Sequence, residues 1–333
     1  MKKIIAVSLA LLVSLALLSA QPSSEKDVLT VYSYDSFSGD WGPAGTLIPD
    51  FEAKTGIKVN LVGAGDAVEM LSRIVLEGEN TDADVILGIS DDFAYRAYPY
   101  LESYESALLE DIDDSIEFDP EHRLLPYDYG YFAFVWDSES GIRKPESLSE
   151  LTLPEYKDKV ILIDPRTSSV GLGLLFWTYN LYGDDFTSWW LQMKDNALTI
   201  TDGWSSAYGL FTEGEAPIVL SYTTSPVYHV MNEGTTRYQA LVFPEGHEAT
   251  IEGLGIRKGT EKRAEAEVFI DYILSDGQLD TAVANSMYPA SSAVALPSAY
   301  EWAPEPDVMF TATELSEEFK NELLERWTEA MTK

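Results

Sequence analysis

Residues 129–136 read YGYFAFVW, a run of eight uncharged residues of which five are aromatic. Aromatic and β-branched residues favour a strand, and this run exceeds the average strand of about five or six residues. Turn-forming residues follow at 137–141, and Pro145 comes soon after them. A strand of this length can pass from one domain into the next. The run therefore predicts a crossover between two lobes.

Short apolar runs alternate with helical segments on both sides of this crossover. Before it, strand-like runs at 28–32, 57–62 and 83–88 are separated by helical faces around Leu47 and Met70. Such alternation is typical of a mostly parallel sheet that helices cover on both faces. The same pattern returns after the crossover, with strands at 160–163, 198–200 and 218–222 and helices at 171–180 and 205–212.

A second extended crossover is predicted at residues 238–244, and residues 254–256 return the chain to the first lobe. The predicted fold is therefore α/β, with two mixed or parallel sheets covered by helices and joined by two crossover strands. The ligand cleft lies between the lobes, because such interfaces are common binding sites. The predicted bounds are 28–130 plus 245–333 for lobe 1 and 131–244 for lobe 2.

The N-terminus has the layout of a secretory signal peptide. Lys2 and Lys3 precede an uncharged stretch at 4–18, and a small and polar stretch begins at Ser19. We expect cleavage near Ala20, which makes residues 1–20 the signal peptide. The chain has no cysteine, and an exported protein without disulfides fits a bacterial cell envelope.

The formal net charge is −34 at pH 7. Such a surface repels nucleic acid and anionic membranes, so these partners are excluded as main ligands. The same long-range field attracts cations and favours a cationic ligand.

A recognition surface is predicted at residues 221–229, SYTTSPVYH, directly after the strand-like run 216–220. Two aromatic rings and short hydroxyl side chains at the carboxyl end of a strand suit a flat, partly polar ligand. Ser168 and Ser169 begin a helix, where they either cap it or help its free amides to hold an anion. Trp204 is predicted as an exposed residue of the loop between a strand and a helix, at the edge of the same cleft. The carboxylates of Asp35 and Asp66, each close to the end of a strand of the first lobe, are predicted to face a cation there.

Catalytic and metal-binding patterns are missing from the sequence. His122, His229 and His247 lack ligand spacing and each is expected to be a surface or capping residue. No Gly-x-Ser-x-Gly motif is found, and no facing pair of carboxylates is established. The sequence therefore predicts a binding protein with no catalytic residues and no metal site.

Five segments in order together resemble the thiamine-binding periplasmic proteins of ABC importers, within the two-lobed type II solute-binding superfamily. Any one of them alone would be weak, but the set covers nearly the whole mature chain. The segments are 34–37 with 40–43, 128–135, 164–168, 203–205 with 207–210, and 220–226.

The resemblance implies a two-lobed periplasmic binding protein that captures thiamine, and thiamine mono- and diphosphate, and delivers them to an ABC permease in the inner membrane. It implies a monomer in the periplasm with no cofactor besides this ligand. Ser168 and Ser169, with the amides near Asp66 and Ala67, are expected to hold the ligand's tail. Carried over by position, the ligand contacts are Tyr34, Asp66, Ala67, Ser168, Ser169, Trp204, Tyr222, Thr223, Thr224, Ser225, Pro226 and Tyr228, of which Tyr34, Trp204, Tyr222 and Tyr228 surround the rings.

Two positions depart from the family pattern. Ser286 stands where the family usually has an aromatic residue that stacks on the ligand, and losing that ring predicts weaker binding by about 1 kcal/mol or a shift in selectivity. Ala67 replaces a glycine, which matters less if only its amide is used.

Three alternatives stay open. A polyamine carrier of the same fold is the first, because acidic clefts with aromatic walls also suit linear diamines. A ferric-ion carrier would usually show two adjacent ligand tyrosines, whereas Tyr222 and Tyr228 are six residues apart. An exported hydrolase would need a catalytic dyad that the sequence does not show.

Overall fold

The computed structural model describes residues 28–332. Its centre is a twelve-stranded sheet. In chain order the strands are β1 (Val28–Ser33), β2 (Lys58–Gly63), β3 (Val85–Ser90), β4 (Leu101–Glu102), β5 (Leu125–Asp137), β6 (Val160–Ile163), β7 (Ala197–Thr201), β8 (Ile218–Tyr222), β9 (Tyr238–Leu241), β10 (His247–Arg257), β11 (Tyr288–Pro289) and β12 (Met309–Phe310).

Helices cover the sheet, and short 3₁₀ turns lie in several of the connections. Over the described residues the α-helices are α1 (Asp35–Ser38), α2 (Ala44–Thr55), α3 (Ala67–Glu77), α4 (Ser169–Tyr182), α5 (Phe186–Asn196), α6 (Trp204–Thr212), α7 (Pro226–Asn232), α8 (Arg263–Ile273), α9 (Gln278–Asn285) and α10 (Glu317–Thr332).

The sheet has two halves with the same topology. In the first half, β1 lies between β2 and β3 and pairs with both in parallel. In the second half, β6 lies between β7 and β8, again in parallel. β10 and β5 join the halves, because each pairs antiparallel with its own half and the two pair with each other. The alternation of strands and helices in the sequence therefore predicted the architecture of both halves.

The crossover predicted at 129–136 is confirmed as β5, which spans thirteen residues. The prediction for the second crossover is wrong in position. Residues 238–241 form the short strand β9, which pairs with β5. The second long strand is β10, eleven residues long. Its sequence, HEATIEGLGIR, contains buried polar residues and therefore lacks the apolar signature on which the prediction depended.

The packing of α4 against the sheet depends on two glycines. Gly171 and Gly173 are in the first turns of this helix, in which residues 169–178 are all buried. A Cβ at Gly173 would overlap the ring of Phe132 on β5. A Cβ at Gly171 would lie 2.6 Å from the backbone of Asp164. Both glycines let the helix start close to the sheet, which places its N-terminus at the cleft described below.

The segment 221–229 is less extended than its sequence suggested. β8 ends at Tyr222, and α7 begins at Pro226 after a tight turn. Proline is favoured at the first position of a helix, since its missing N–H has no helical partner there. The helix places Tyr228 one turn along from the strand end.

Within residues 28–332, none of the helices has the length and apolar character that crossing a membrane requires. The predicted signal peptide, residues 1–20, lies outside the described residues. The predicted lobe bounds stay predictions.

Candidate ligand-binding cleft

A cleft with about 740 Å³ of empty space, including open solvent at its mouth, lies where the two halves of the sheet meet. Most of its walls follow the carboxyl ends of parallel strands, as open α/β sheets lead one to expect. The lining residues are Tyr34, Ser36, Trp41, Asp66, Ala67, Ser169, Val170, Trp204, Tyr208, Tyr222, Tyr228, Glu252, Ala284, Asn285, Ser286 and Met287.

Seven of the twelve residues predicted from the sequence line this cleft. The other five do not line it, and contact with a ligand stays a prediction for them. The seven are Tyr34, Asp66, Ala67, Ser169, Trp204, Tyr222 and Tyr228, and the five are Ser168, Thr223, Thr224, Ser225 and Pro226.

Those five residues are buried behind the cleft wall. Ser225 Oγ lies 2.7 Å from Ser221 Oγ and accepts a hydrogen bond from the backbone N–H of Tyr222. The hydroxyl of Thr224 donates to the backbone oxygen of Ser286. The hydroxyl groups after β8 therefore fix the position of Tyr222 and connect it to the end of α9.

Asp66 joins the two halves of the molecule. Its Oδ1 accepts the backbone N–H of Ala67 at 2.7 Å and that of Ser169 at 3.1 Å. Its Oδ2 accepts from Ser168 Oγ at 2.9 Å and from the backbone N–H of Trp204 at 3.2 Å. The three amides are the first residues of α3, α4 and α6, so three positive helix ends converge on one carboxylate.

The amides and hydroxyl predicted to hold a ligand's tail are therefore occupied by Asp66 in this structure. Burial raises the pKa of Asp66 to about 6, against the hydrogen bonds from Trp204, Ser168, Ser169 and Ala67, which lower it. Asp35, the other carboxylate predicted to face a cation, is exposed and does not line the cleft. It accepts a hydrogen bond from Ser205 Oγ at 3.3 Å.

Aromatic rings form one wall of the cleft. Trp204 stacks on Tyr208 with ring centroids 4.8 Å apart, and its indole Nε1 donates to Ser221 Oγ. Trp204 is half-buried at the start of α6, and the expectation of an exposed loop residue is wrong. Tyr222 stacks on Phe132 of β5 at 5.3 Å. The packing and hydrogen bonds hold both rings in fixed orientations.

A further ring pair lies across the two halves. Trp41, which follows α1, has its ring 5.8 Å from that of Tyr228 on α7, and Trp41 is 60% exposed. Trp41 was not among the ligand contacts predicted from the sequence. A tryptophan in a loop that contains glycine and proline has few core partners, so its position in the sequence could have identified Trp41 as a ring available to a ligand.

The opposite side of the cleft contains a buried carboxylate that the sequence analysis missed. Glu252 Oε2 accepts hydrogen bonds from the hydroxyls of Tyr127 at 2.6 Å and Tyr34 at 2.9 Å. Asn285 donates from Nδ2 to Tyr34 Oη and to Asp128 Oδ2, both at 2.9 Å. Burial raises the pKa of Glu252, and burial together with the charge of Glu252 raises that of Asp128. No local motif marked Glu252, because its role depends on which strands become neighbours.

Two histidines lie in the core, and the expectation of surface or capping positions is wrong for them. His229 is fully buried between Tyr208 and Glu233, with ring nitrogens 2.9 and 2.8 Å from their oxygens. His247 is fully buried on β10, and its Nδ1 lies 2.7 Å from the backbone oxygen of Phe132. Across residues 28–332, no group of histidine and acidic side chains is arranged to hold a metal ion.

The cleft has the properties of a non-covalent site for a flat cation. Faces of Trp and Tyr attract cations by roughly 0.5 to 2 kcal/mol, and more when water is excluded. Asp66 and Glu252 supply negative charge at two sides of the same space. The hydroxyls of Ser36 and Ser169 add short polar contacts.

Comparisons with known proteins agree with this geometry. The family model for bacterial extracellular solute-binding proteins matches residues 80–310. The chain is 39% identical over 302 residues to a thiamine-binding periplasmic protein of Brucella melitensis, covering 88% of each chain. It is 38% identical over 326 residues to a thiamine-binding periplasmic protein of Escherichia coli K12, covering 96% of this chain and 98% of the relative.

A solved structure of a periplasmic thiamin binding protein superposes with a TM-score of 0.87 at 36% identity, covering 94% of this chain and 99% of that one. This match confirms the predicted two-lobed α/β fold with a cleft between the lobes. The chain therefore belongs to the family of bacterial extracellular solute-binding proteins, together with these thiamine-binding periplasmic proteins.

Proposed function

We propose that this protein captures thiamine in the cleft and delivers it to an ABC permease. The observation that carries the proposal is the combination, in one cleft, of ordered aromatic faces with two buried carboxylates, Asp66 and Glu252. Thiamine has a flat aminopyrimidine, a cationic thiazolium ring and a hydroxyethyl tail. It therefore needs ring faces, negative charge and short polar groups together.

The finer proposal is that thiamine monophosphate and diphosphate also bind, with the phosphate near Ser168 and Ser169. The N-termini of α4 and α6 support it, because free amides at helix starts suit phosphate. Asp66 now accepts hydrogen bonds from these amides, so a phosphate has to displace its carboxylate. We expect phosphate esters to bind more weakly than thiamine near neutral pH and to gain as Asp66 is protonated around pH 6.

The remaining parts of the proposal concern where the protein acts and in which form. The protein is exported, its signal peptide is removed near Ala20, and it acts in the periplasm as a monomer whose lobes are residues 28–130 plus 245–333 and 131–244. It performs no catalysis and carries no cofactor besides its ligand. Support comes from the family to which the chain belongs and from the sequence of its N-terminus.

A polyamine carrier is the second candidate, and the acidity of the cleft favours it to the same degree. The ordered ring faces favour thiamine over a linear diamine, because two flat rings can stack over their whole area whereas a diamine gains cation–π contact only at its ammonium ends. Titration calorimetry with thiamine and putrescine on protein that has been unfolded and refolded, to remove carried-over ligand, separates the candidates. Thiamine should bind with a Kd below about 10 μM, roughly 7 kcal/mol, and putrescine much more weakly. Tight putrescine binding without thiamine binding would reject the proposal.

The phosphate proposal has its own test, in the double substitution Ser168→Ala with Ser169→Ala. We expect a larger loss of affinity for thiamine diphosphate than for thiamine, measured by the same calorimetry. Ser206→Ala is the matched control, since this exposed hydroxyl of α6 donates to Asp202 and does not line the cleft. Equal losses for thiamine and its phosphates would exclude a phosphate role for the two serines.

A further inference from the structure

Two buried carboxyl groups face each other on the strands that join the halves. Glu252 of β10 and Asp128 of β5 are direct cross-strand partners. The register shifts between Glu252 and Gly253, and Pro126 is the next partner after Asp128, so Tyr127 has no partner of its own in this ladder. Such a bulge re-aims side chains. It lets Tyr127 donate to Glu252 while Asp128 lies opposite.

Like charges directly opposite each other in a sheet are unfavourable, and burial increases the cost. Asp128 is fully buried and Glu252 is 7% exposed. Asp128 Oδ1 is buried without a hydrogen-bond partner in the described part of the chain. Glu252 uses Oε2 for both phenol hydroxyls, and its other oxygen has no partner among residues 28–332. Since Glu252 lines the cleft, one carboxylate oxygen is available to a ligand.

The surroundings supply no compensating cation. The titratable groups with which the pair interacts most strongly are phenols and further carboxyls: Tyr34, Tyr127, Tyr222, Tyr300, Asp66 and Asp92. Over the described chain, neither Glu252 nor Asp128 forms an ion pair with lysine or arginine, and Lys320 Nζ donates to the backbone oxygen of Asp92 instead. Two neighbouring carboxyl groups in such a site disfavour double ionisation, so we expect one of the two to carry a proton when no cation is bound.

We propose that the Glu252–Asp128 pair selects a cationic ring ligand by exchanging one proton for the ligand's positive charge. The proposal rests on the proposed function. In the empty cleft the pair carries one proton and one negative charge. When a ligand with a permanent positive charge enters, the proton leaves to solvent and both carboxylates become ionised. The net charge of the cleft region is therefore the same before and after binding, and a neutral ring of similar shape gains nothing from the exchange.

Calorimetry of thiamine binding in buffers with different ionisation enthalpies measures the proton directly. At about pH 7.5 the thiazolium charge is fixed, so a proton released on binding comes from the protein. We expect the wild-type protein to release between about half and one proton per thiamine. This measurement needs no variant and is independent of any effect on folding.

Two substitutions test separately the proton released on binding and the negative charge at the cleft surface. Asp128→Asn leaves a single carboxyl group that two phenols stabilise as an anion, so proton release should fall close to zero while thiamine still binds. Glu252→Gln removes the carboxylate at the cleft surface and should weaken thiamine binding by about 30-fold or more. Glu248→Gln is the control, because Glu248 is an equally buried acid of β10 that does not line the cleft. It should leave both proton release and affinity unchanged.

The outcomes distinguish this inference from the proposed function. Thiamine binding without proton release by the wild-type protein, or undiminished release and affinity in a folded Glu252→Gln variant, overturns the proton exchange and leaves thiamine capture intact. Failure of the wild-type protein to bind thiamine overturns both. Loss of release in Asp128→Asn, with release retained in Glu248→Gln, supports the exchange.

Discussion

Asp66 connects the two sides of the cleft through hydrogen bonds. Its carboxylate accepts hydrogen bonds from three helix N-termini and one serine hydroxyl, and it connects the first half of the molecule with the second. In Asp66→Ala these donors lose their acceptor, and a ligand phosphate becomes a better partner for them. We expect the affinity for thiamine diphosphate relative to thiamine to rise about tenfold, measured by calorimetry.

The control for this prediction is Asp202→Ala. Asp202 is an exposed acid next to α6 that accepts from Ser206 Oγ and does not contact the three amides. It should leave the ratio of the two affinities unchanged. A ratio that also stays unchanged in Asp66→Ala would mean that the phosphates do not approach these helix ends.

Ser286 is the residue where the cleft lacks a ring. It is in the left-handed conformation, with φ 56°, and it lines the cleft directly after α9. We expect Ser286→Trp to strengthen thiamine binding about fivefold, because an added aromatic contact contributes about 1 kcal/mol. Ser286→Ala has the same backbone strain and no ring, so it should show no gain. Equal affinities of the two variants would mean that the position does not contact the ligand.

The sequence predicted a residue of the site correctly where that residue lies at the end of a recognisable strand or at the start of a recognisable helix. Tyr34, Asp66, Ser169, Trp204 and Tyr222 are all of this kind, and all line the cleft. Glu252 was missed because its role arises from Tyr34, directly after β1, and Tyr127 of β5, which are far away in the chain. Thr224 and Ser225 use their hydroxyls within the protein, Thr224 on the backbone oxygen of Ser286 and Ser225 on Ser221 and Tyr222, so their contact with a ligand stays a prediction.

At the scale of elements, the start of α4 determines where the serines of the cleft lie. In Gly171→Ala the new Cβ would be 2.6 Å from backbone atoms of Asp164, and backbone cannot move aside cheaply. We expect a loss of about 2 kcal/mol or more in the free energy of unfolding, measured by urea denaturation. Gly209→Ala in α6 is the matched control, because no atom lies within 4 Å of its added Cβ. Alanine there should stabilise the helix by up to about 1 kcal/mol. Similar effects of the two substitutions would contradict the packing described for α4.

Strands and helices were predicted correctly where apolar residues are continuous or regularly spaced. They were missed where polar residues interrupt that pattern. β5 was recognised because its aromatic residues are continuous, and the helices after β6 and β7 were recognised from their apolar faces. β10 was not, because buried acids at 248 and 252 interrupt the apolar pattern of a central strand. α7 was not predicted, because its first turn contains the same residues that suggested a recognition surface.

At the scale of the whole molecule, buried acids affect the dependence of stability on pH. Burial raises the pKa of Glu248 to about 8 and that of Asp66 to about 6, and it also raises the pKa of the neighbouring Asp91 and Asp92. Between these values and the ordinary carboxyl range, each of these acids binds more protons in the folded protein than in the unfolded chain. Buried His247, whose pKa burial lowers to about 4, acts in the opposite direction below about pH 6.5 and offsets part of the gain. Acidification therefore favours the folded state, and the gain is complete once the unfolded chain is also protonated.

We accordingly expect the midpoint of thermal unfolding to rise by about 5 °C or more between pH 8 and about pH 5, measured by circular dichroism in the absence of ligand. The high negative charge acts in the same direction, since protonation reduces self-repulsion. Glu248→Gln should remove part of the rise, whereas substitution of the exposed Glu301 by Gln should not. A midpoint that stays level or falls over this range would contradict the assignment of these acids to the core.

We propose that thiamine binds between the halves of this molecule, against the rings of Trp204 and Tyr222 and the carboxylate of Glu252. A crystal structure of the protein grown with thiamine tests it most directly. The predicted result is density for both thiamine rings inside the cleft, with a Glu252 oxygen within about 4 Å of the ligand. Thiamine located outside the cleft, or an empty cleft at saturating thiamine, would contradict it.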